Sequence, residues 1–455
     1  MTIATRLDRL ELDRLELAAK VRRQSELVPV MYENFDFSVS PERFTQELEV
    51  ESTLPEQIRH KRARLLSNGE RVALMRAYTL IGDTVADAYA ALMPSYGARR
   101  LIDMLDEACR CGVEHVVNGP PELRAFIAAM ERVPDWLDMA LVEQGARQQR
   151  NEYAHVAPYA IRGAFIATFM NKYSALPMAI TGRLSHATAA RRIRETATFF
   201  LTSVLPGALD RHGEGFRAAA MVRLMHSMVR YNVLARERGS WDKRVYGVPI
   251  PQVDQMPAGL INVFLLSREA LRQGRTTFTA GERAIVELSR YRCFLLGLPE
   301  ELLADTPQGI VDMWLTRAAT LRAGFDDATC GALVRATMAA DLSMGEDILG
   351  KLQSRMERSF AKVFFVKNFA NNDRAAAERV GIAVSSLDYA CALATALFIS
   401  AQVRAYAFAA RVPLLQQRAE RHVLAKLLKQ LERYGHPEYS SHAESYRPTQ
   451  LVAAE

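Results

Sequence analysis

Apolar positions along this chain recur at three- and four-residue intervals for most of its length, the period of helices with one buried face. The pattern predicts helices at about 56–66, 70–92, 95–111, 121–132 and 136–150, then at 156–176, 188–204, 214–235, 253–272 and 279–296. Further helices are expected at 306–323, 326–339, 341–360 and 384–432, the last broken near Pro413. Asp135 reads as an N-cap with Asp138 one turn in, Thr279 and Glu282 as a capping box, and Ser40-Pro41-Glu42 as an N-cap followed by an N1 proline. Residues 4–23 repeat a Leu-Asp-Arg-Leu-Glu phrase whose stripe of Leu7, Leu10, Leu15 and Leu17 suits a charged surface helix at a domain edge, ahead of a coiled-coil arm. Residues 28–39, with proline and aromatics but no helical period, read as an extended linker on the surface. Strand signals amount to a short ribbon in 236–252; that segment and the tail 435–455 are the long irregular stretches. The expected fold is therefore all-α: an N-terminal helix and arm over 1–55, a single large multi-helix domain over 56–434, and a C-terminal tail over 435–455.

Composition agrees. With 455 residues, of which 24 are glycine and 18 proline, the chain is poor in turn formers and long enough to bury a large core without disulfides. Hydrophobic residues at 49% and charged residues at 24% exclude wholesale disorder. A net charge of +6 and a pI near 9.0 permit nucleic acid, anionic lipid or an acidic ligand, and select none of them. The cysteines, Cys109, Cys111, Cys293, Cys330 and Cys391, form neither a disulfide framework nor a CxxC pair, so reduced, buried thiols are expected. No apolar leader precedes Leu27, and the longest apolar stretch, Tyr389 to Ala401, stops at Gln402 and Arg404. Such a stretch is too short to span a bilayer, which gives the expectation of a cytoplasmic protein with no integral membrane segment.

Chemistry concentrates between Tyr153 and Arg194. This stretch holds no Asp or Glu, yet carries Arg162, Lys172, Arg183, Arg191, Arg192 and Arg194 with His155 and His186, on largely apolar helices. Cations on apolar helices are expensive unless they meet an anion or the surface. An apolar pocket for a carboxylate- or phosphate-bearing ligand accounts for them; so do ordinary side chains snorkelling to solvent.

The helix at 214–235 adds a single histidine. His226 shares a face with Val222, Val229 and Val233, with Met221, Met225 and Met228 beside it, and Arg223 and Arg230 flank it at i−3 and i+4. An imidazole buried beside arginines is held neutral, the form that ligates a metal or haem iron. A lone histidine on an apolar face is nonetheless more often a satisfied core residue. On the preceding helix Arg194 and Thr198, at i and i+4, project from one face. The guanidinium suits an anionic group and the hydroxyl suits a bound oxygen species; the plain alternative is a threonine bonded to its own helix and a surface arginine.

These residues carry a resemblance. Arg194-Glu-Thr-Ala-Thr198, Val222-Arg223-Leu224-Met225-His226 and Gly247-Val-Pro-Ile-Pro-Gln252 resemble the rubber oxygenases, or latex-clearing proteins. That family shares a catalytic domain with the membrane-bound oxygenase of mycophenolic acid biosynthesis. The resemblance is strongest over residues 120–300. It implies a helical fold enclosing a pocket for non-covalent haem b, with His226 as proximal iron ligand and Arg194 and Thr198 as distal residues. It also implies molecular oxygen as co-substrate and oxidative cleavage of a carbon–carbon double bond in an isoprenoid chain. Without a secretion signal, the substrate expected here is a small apolar isoprenoid or other unsaturated lipid, and cleavage and another oxidation both stay open. Arg223 and Arg230 are candidate partners of the haem propionates or supports of the ligand. Two departures matter. The family's lysine before the threonine, able to cap the iron, is Ala197 here, and no acid lies between Glu152 and Glu195 to act as the family's upstream base.

Other classes are weaker. Glu152-Tyr-Ala-His155 is one Glu-x-x-His motif, whereas a di-iron bundle needs two and more carboxylates. The basic run Arg59 to Arg64 lacks interleaved aromatics and any reader motif, so no nucleic-acid partner is expected. A non-catalytic helical haem- or lipid-binding protein remains the alternative to the oxygenase. Oligomeric state is not legible.

Overall fold

The computed structural model describes residues 3–181, 189–236, 241–342, 347–370 and 372–435, with side chains from Leu15 onward, Arg236 and Ala258 excepted. Arg183 and His186 of the basic stretch lie outside these residues, as do 237–240, 343–346 and all but Gly435 of the expected tail.

The all-α expectation is met. Among the described residues, extended pairing is limited to two isolated bridges, Phe44 with Leu321 and Ser52 with Arg322. Those bridges overturn one expected helix start. Ser40-Pro41-Glu42 opens no helix; it lies in a chain segment whose Glu42 and Arg43 amides donate to the Arg244 and Val245 carbonyls. The surface linker is also corrected, because Pro29–Tyr32 forms a helical turn that buries Met31 and Tyr32. No ribbon forms in the described part of 236–252, where Lys243–Tyr246 is a helical turn capped by Asp242.

The chain gathers into two compact units. Among the described residues, one consists of those up to Gly145 with Leu209–Gly324, the other of Ala146–Ala208 with 325–435. In the first, the Glu214–Tyr231 helix packs on Thr84–Ala90, Ala98–Cys111 and Ala280–Leu295. Ala280–Leu295 begins with the expected capping box, Thr279 and Glu282 each bonding the other's backbone amide. In the second unit, Ile348–Asn368 packs between Ala157–Ala167 and Ser386–Arg411, and Ala189–Thr202 lies on Pro413–Tyr434. Phe165, Ile166, Phe169, Ile193, Leu333 and Phe365 centre its apolar core. Gly163 permits the closest helix approach there: a Cβ would stand 2.5 Å from Phe364 Cδ1.

Pro413 breaks the last long helix as expected, leaving Ser386–Arg411 and Pro413–Tyr434. The first of these corrects the expectation of no integral membrane segment. The apolar run Tyr389 to Ala401 does not end its helix at Gln402. It sits inside 26 helical residues whose most apolar 18-residue window has mean hydropathy 1.4 and is 17% buried. By length and composition this helix is able to cross a membrane.

Candidate functional site

Every residue from Ala218 to Tyr231 is buried except Val222, Met225 and His226. Positions i, i+3 and i+4 lie together on a helix. The Glu214–Tyr231 helix therefore shows a single opening, two apolar side chains and one imidazole.

The arginines flanking that opening face carboxylates instead. Arg223 is 5% exposed and grips Asp83 through Nε at 2.7 Å and Nη2 at 2.8 Å, and its guanidinium lies 5.0 Å from the centroid of the Phe126 ring. Arg230, wholly buried, donates to Asp87 at 2.8 Å, Ser227 Oγ at 2.9 Å and the Ile250 carbonyl at 2.9 Å. Tyr32 completes the cluster by donating to Asp87 Oδ2 at 2.7 Å. Burial pushes the Asp87 carboxyl up against the pull of Arg230, and pushes the Tyr32 hydroxyl well above its ordinary value, with Asp87's charge adding to the effect. Tyr32 is thereby fixed as a donor.

The Gly247–Gln252 loop is built into the same cluster. Trp241 Nε1 donates to the Gly247 carbonyl at 2.7 Å, and Gly247 takes φ = +66° against Pro41, where a side chain has no room. Ile250 takes φ = +49°, an unusual and strained backbone for a β-branched residue, while its carbonyl accepts from Arg230. Gln252 then donates to the Gly82 carbonyl at 2.7 Å, the point where the expected 70–92 helix breaks. That break restarts at Asp83, whose carboxylate caps Thr84–Ala90 through the Ala86 amide while holding Arg223.

Arg194 and Thr198 stand together on Ala189–Thr202, in the second unit. Thr198, 9% exposed, turns its hydroxyl back to the Arg194 carbonyl at 2.9 Å. Arg194 is half-buried and reaches the Asp341 carbonyl at 3.4 Å. Arg162, Arg192, Lys172 and His155 of the acid-free stretch find partners inside the unit. Arg162 makes a two-pronged contact with Glu357, 2.8 Å on each side, and its Nη1 donates to the Thr337, Met338 and Ala340 carbonyls, closing the end of Ala332–Ala339. Arg192 meets Glu195 at 2.8 Å, and the Lys172 ammonium stands 5.1 Å from the Tyr173 ring centroid. His155, 4% exposed, donates from Nδ1 to the Asn151 carbonyl at 2.9 Å. Burial holds that imidazole below its ordinary pKa, with Lys426 and His422 adding to the effect.

The structure thus places His226, Arg223 and Arg230 on one helix of the first unit and Arg194 and Thr198 on one helix of the second. Sequence reasoning missed Asp83, Asp87 and Tyr32. One signal was available: two aspartates one turn apart on an apolar segment, matching two arginines two turns apart on another. Among the described residues no group of three or more His, Cys, Asp or Glu side chains is placed to hold a metal ion. A haem iron needs one axial side chain from the protein, so that test bears on the di-iron class rather than on haem. Cys109, Cys293 and Cys330 are buried free thiols pushed up to about 12 by burial, which leaves them unreactive as nucleophiles.

Comparison with known proteins supplies the context. The family described as "ER-bound oxygenase mpaB/B'/Rubber oxygenase, catalytic domain" matches residues 152–437. The rubber oxygenase of Streptomyces sp. (strain K30) is 25% identical over 255 residues, 51% of this chain and 61% of that protein. The chain therefore spans less than two thirds of the length of this curated relative. The solved structure of the latex clearing protein in its closed state matches with a TM-score of 0.52 at 18% identity, covering 77% of this chain and 91% of that one. At that identity the likeness speaks for the fold alone. The matching family is described as ER-bound, and the chain contains a helix of membrane-crossing length. The expected cytoplasmic placement is therefore withdrawn together with the expected lack of a membrane segment.

Proposed function

This chain belongs to the ER-bound oxygenase mpaB/B' and rubber oxygenase catalytic-domain family, and from that premise we propose a haem b-dependent oxygenase acting with O2 on an apolar substrate. The observation that carries the proposal is the opening on the Glu214–Tyr231 helix. A helix buried elsewhere from Ala218 to Tyr231 offers one neutral-capable nitrogen ligand, His226, beside Val222 and Met225. That donor set fits a flat apolar macrocycle whose iron would be held by the His226 imidazole. Asp83 and Asp87 neutralise the neighbouring arginines, so no bare cation faces the group. In this reading Arg223 and Arg230 are positioning residues that fix the helix, and His226 is the proximal iron ligand.

Bound haem would supply redox-active iron for the use of dioxygen. The remaining roles belong to the chain. Arg194 and Thr198 are proposed for the distal side by their place in the matched motif. Thr198 holds its hydroxyl proton on the Arg194 carbonyl and leaves its oxygen able to accept a hydrogen bond. Ala197, 1% exposed, carries no group able to reach iron, so no lysine cap forms there. The substrate class that suits this family is an isoprenoid or another unsaturated lipid. Cleavage of its double bond balances with O2 alone, one oxygen atom going to each new carbonyl carbon.

The test is an absorption spectrum of protein expressed with a haem precursor, before and after dithionite, with a pyridine haemochrome assay. One haem per chain is expected, lost in His226→Ala with the fold intact. Full haem with an unchanged spectrum in that variant would remove His226 from the ligand position. A colourless protein that refuses added haem would end the oxygenase reading. Haem without oxygen uptake on any unsaturated lipid would favour the non-catalytic binding protein, the reading that Thr198's bond to its own helix supports.

A further inference from the structure

The Ser386–Arg411 helix buries a narrow side, Asp388, Ala392, Thr395 and Ile399, against its neighbours. Its anchorage is polar at the start, where Asp388 accepts from Ser359 at 2.8 Å and from Lys362 at 3.3 Å. The other side is apolar and open. From Leu387 to Phe408 every exposed side chain is aliphatic or aromatic apart from Arg404, and Leu393, Leu397 and Phe408 are 63, 65 and 69% exposed. At 1.5 Å per residue that stripe runs roughly 30 Å, close to the thickness of a bilayer's hydrocarbon core. A continuous apolar surface of this kind marks an interaction site.

Charge identifies the occupant. From the end of the stripe onward, Arg404, Arg411, Arg418, Arg421, Lys429 and Arg433 are all exposed, and between Gln402 and Gly435 the exposed acid is Glu432. A second copy of the chain would bring the same cationic stretch and little counter-charge. An anionic lipid surface offers both phases that this surface needs, acyl chains for the leucines and phenylalanines and negative headgroups for the arginines. We propose that the exposed face of Ser386–Arg411 docks on an anionic lipid bilayer, with the basic stretch of 404–433 meeting its headgroups. The proposal stands on this surface alone and does not depend on haem or on the chemistry at His226.

Co-sedimentation of the full chain with vesicles tests it. Binding is expected to vesicles containing phosphatidylserine, to weaken several-fold on pure phosphatidylcholine, and to weaken with added salt. Leu397→Glu with Phe408→Glu, both on the open side, should cut binding by about tenfold or more. Arg418→Gln with Arg421→Gln, which leaves the apolar stripe untouched, should abolish most of the preference for anionic lipid. No binding by the unaltered chain, or equal binding by the Leu397/Phe408 variant, overturns the proposal. A dimer that the same two substitutions convert to monomer, without lipid-dependent sedimentation, also overturns it and gives the face to a second copy.

Discussion

Arg223 and Asp83 meet through two parallel hydrogen bonds of 2.7 and 2.8 Å, both side chains almost fully buried, one helical turn before His226. One turn after it, Arg230 holds Asp87 from a wholly buried position through Nε alone, at 2.8 Å, with its Nη groups on Ile250 and Ser227. The imidazole therefore stands between two cations whose charge is already matched, on a helix pinned at both ends of its opening.

Breaking one such pair should be far more damaging than removing both partners. A buried charge left without its partner costs about 3–5 kcal/mol, whereas a well-packed apolar replacement of the whole pair is close to neutral. Asp83→Asn keeps an N-cap for Thr84–Ala90 but strips Arg223 of its counter-charge, so the unfolding free energy from urea titration should fall by that order. Arg223→Met added to Asp83→Leu should recover part of the loss, short of the cap contribution of about 1 kcal/mol. Simple additivity of the two single substitutions would show that the pair is not coupled.

Thr198 provides a sharper test of the distal assignment. Its hydroxyl bonds to the Arg194 carbonyl, so the substitution Thr198→Val removes one hydrogen bond of about 1 kcal/mol while keeping the shape. Haem content and thermal midpoint should change little, and oxygen uptake on an unsaturated lipid should fall about tenfold or more. Unchanged uptake would make the threonine a helix residue and nothing else.

Arg162 is expected to be structural in spite of its place in the acid-free stretch. It fills its donors with Glu357 and three carbonyls, and is 1% exposed. Glu357→Gln should lower stability by about 3 kcal/mol or more, since the guanidinium keeps its carbonyls but loses its charge partner. Haem stoichiometry in the fraction that folds should stay unchanged. A folded variant that lost haem selectively would place Arg162 at the cofactor instead.

What the sequence discloses follows the distance between partners. The Thr279–Glu282 capping box and the break at Pro413 are made of neighbours, and both were legible. Asp138, rather than Asp135, caps Met139–His155, accepting from the Ala140 and Leu141 amides; its own amide goes to Glu287, far along the chain, and such a partner leaves no local trace. The break at Leu80–Gly82 is hidden for the same reason. Gln24 bonds the Leu80 carbonyl and the Gly82 amide, and Gln252 bonds the Ile81 and Gly82 carbonyls, so distant amides satisfy a backbone that the periodic pattern carried straight through. In the site, Arg194 with Thr198 and Arg223 with His226 were readable as helical spacings. The aspartates that decide what the arginines do were not, because Asp83 and Asp87 lie about 140 positions away. The length of Ser386–Arg411 was missed through arithmetic, since an uninterrupted apolar run is shorter than the helix that contains it.

Lys426 carries the clearest pH signature. Burial lowers its ammonium from 10.5 to about 8, and its Nζ donates to Gln402 at 2.7 Å. Between about 8 and 10.5 the unfolded chain binds a proton at this site that the folded chain has released, so stability contributed by this group rises with pH across that window. Below about 8 both states are charged and the burial penalty is fully present; above 10.5 both are neutral and it has gone. Buried tyrosines such as Tyr32 and Tyr78, raised by burial, act in the opposite direction once the unfolded chain ionises near 10. The measurement is therefore a difference. Urea midpoints of the unaltered chain and of Lys426→Met, taken from pH 7 to pH 10, should converge as pH rises, with the variant the more stable at pH 7. A gap that stays constant would show that Lys426 titrates alike in both states.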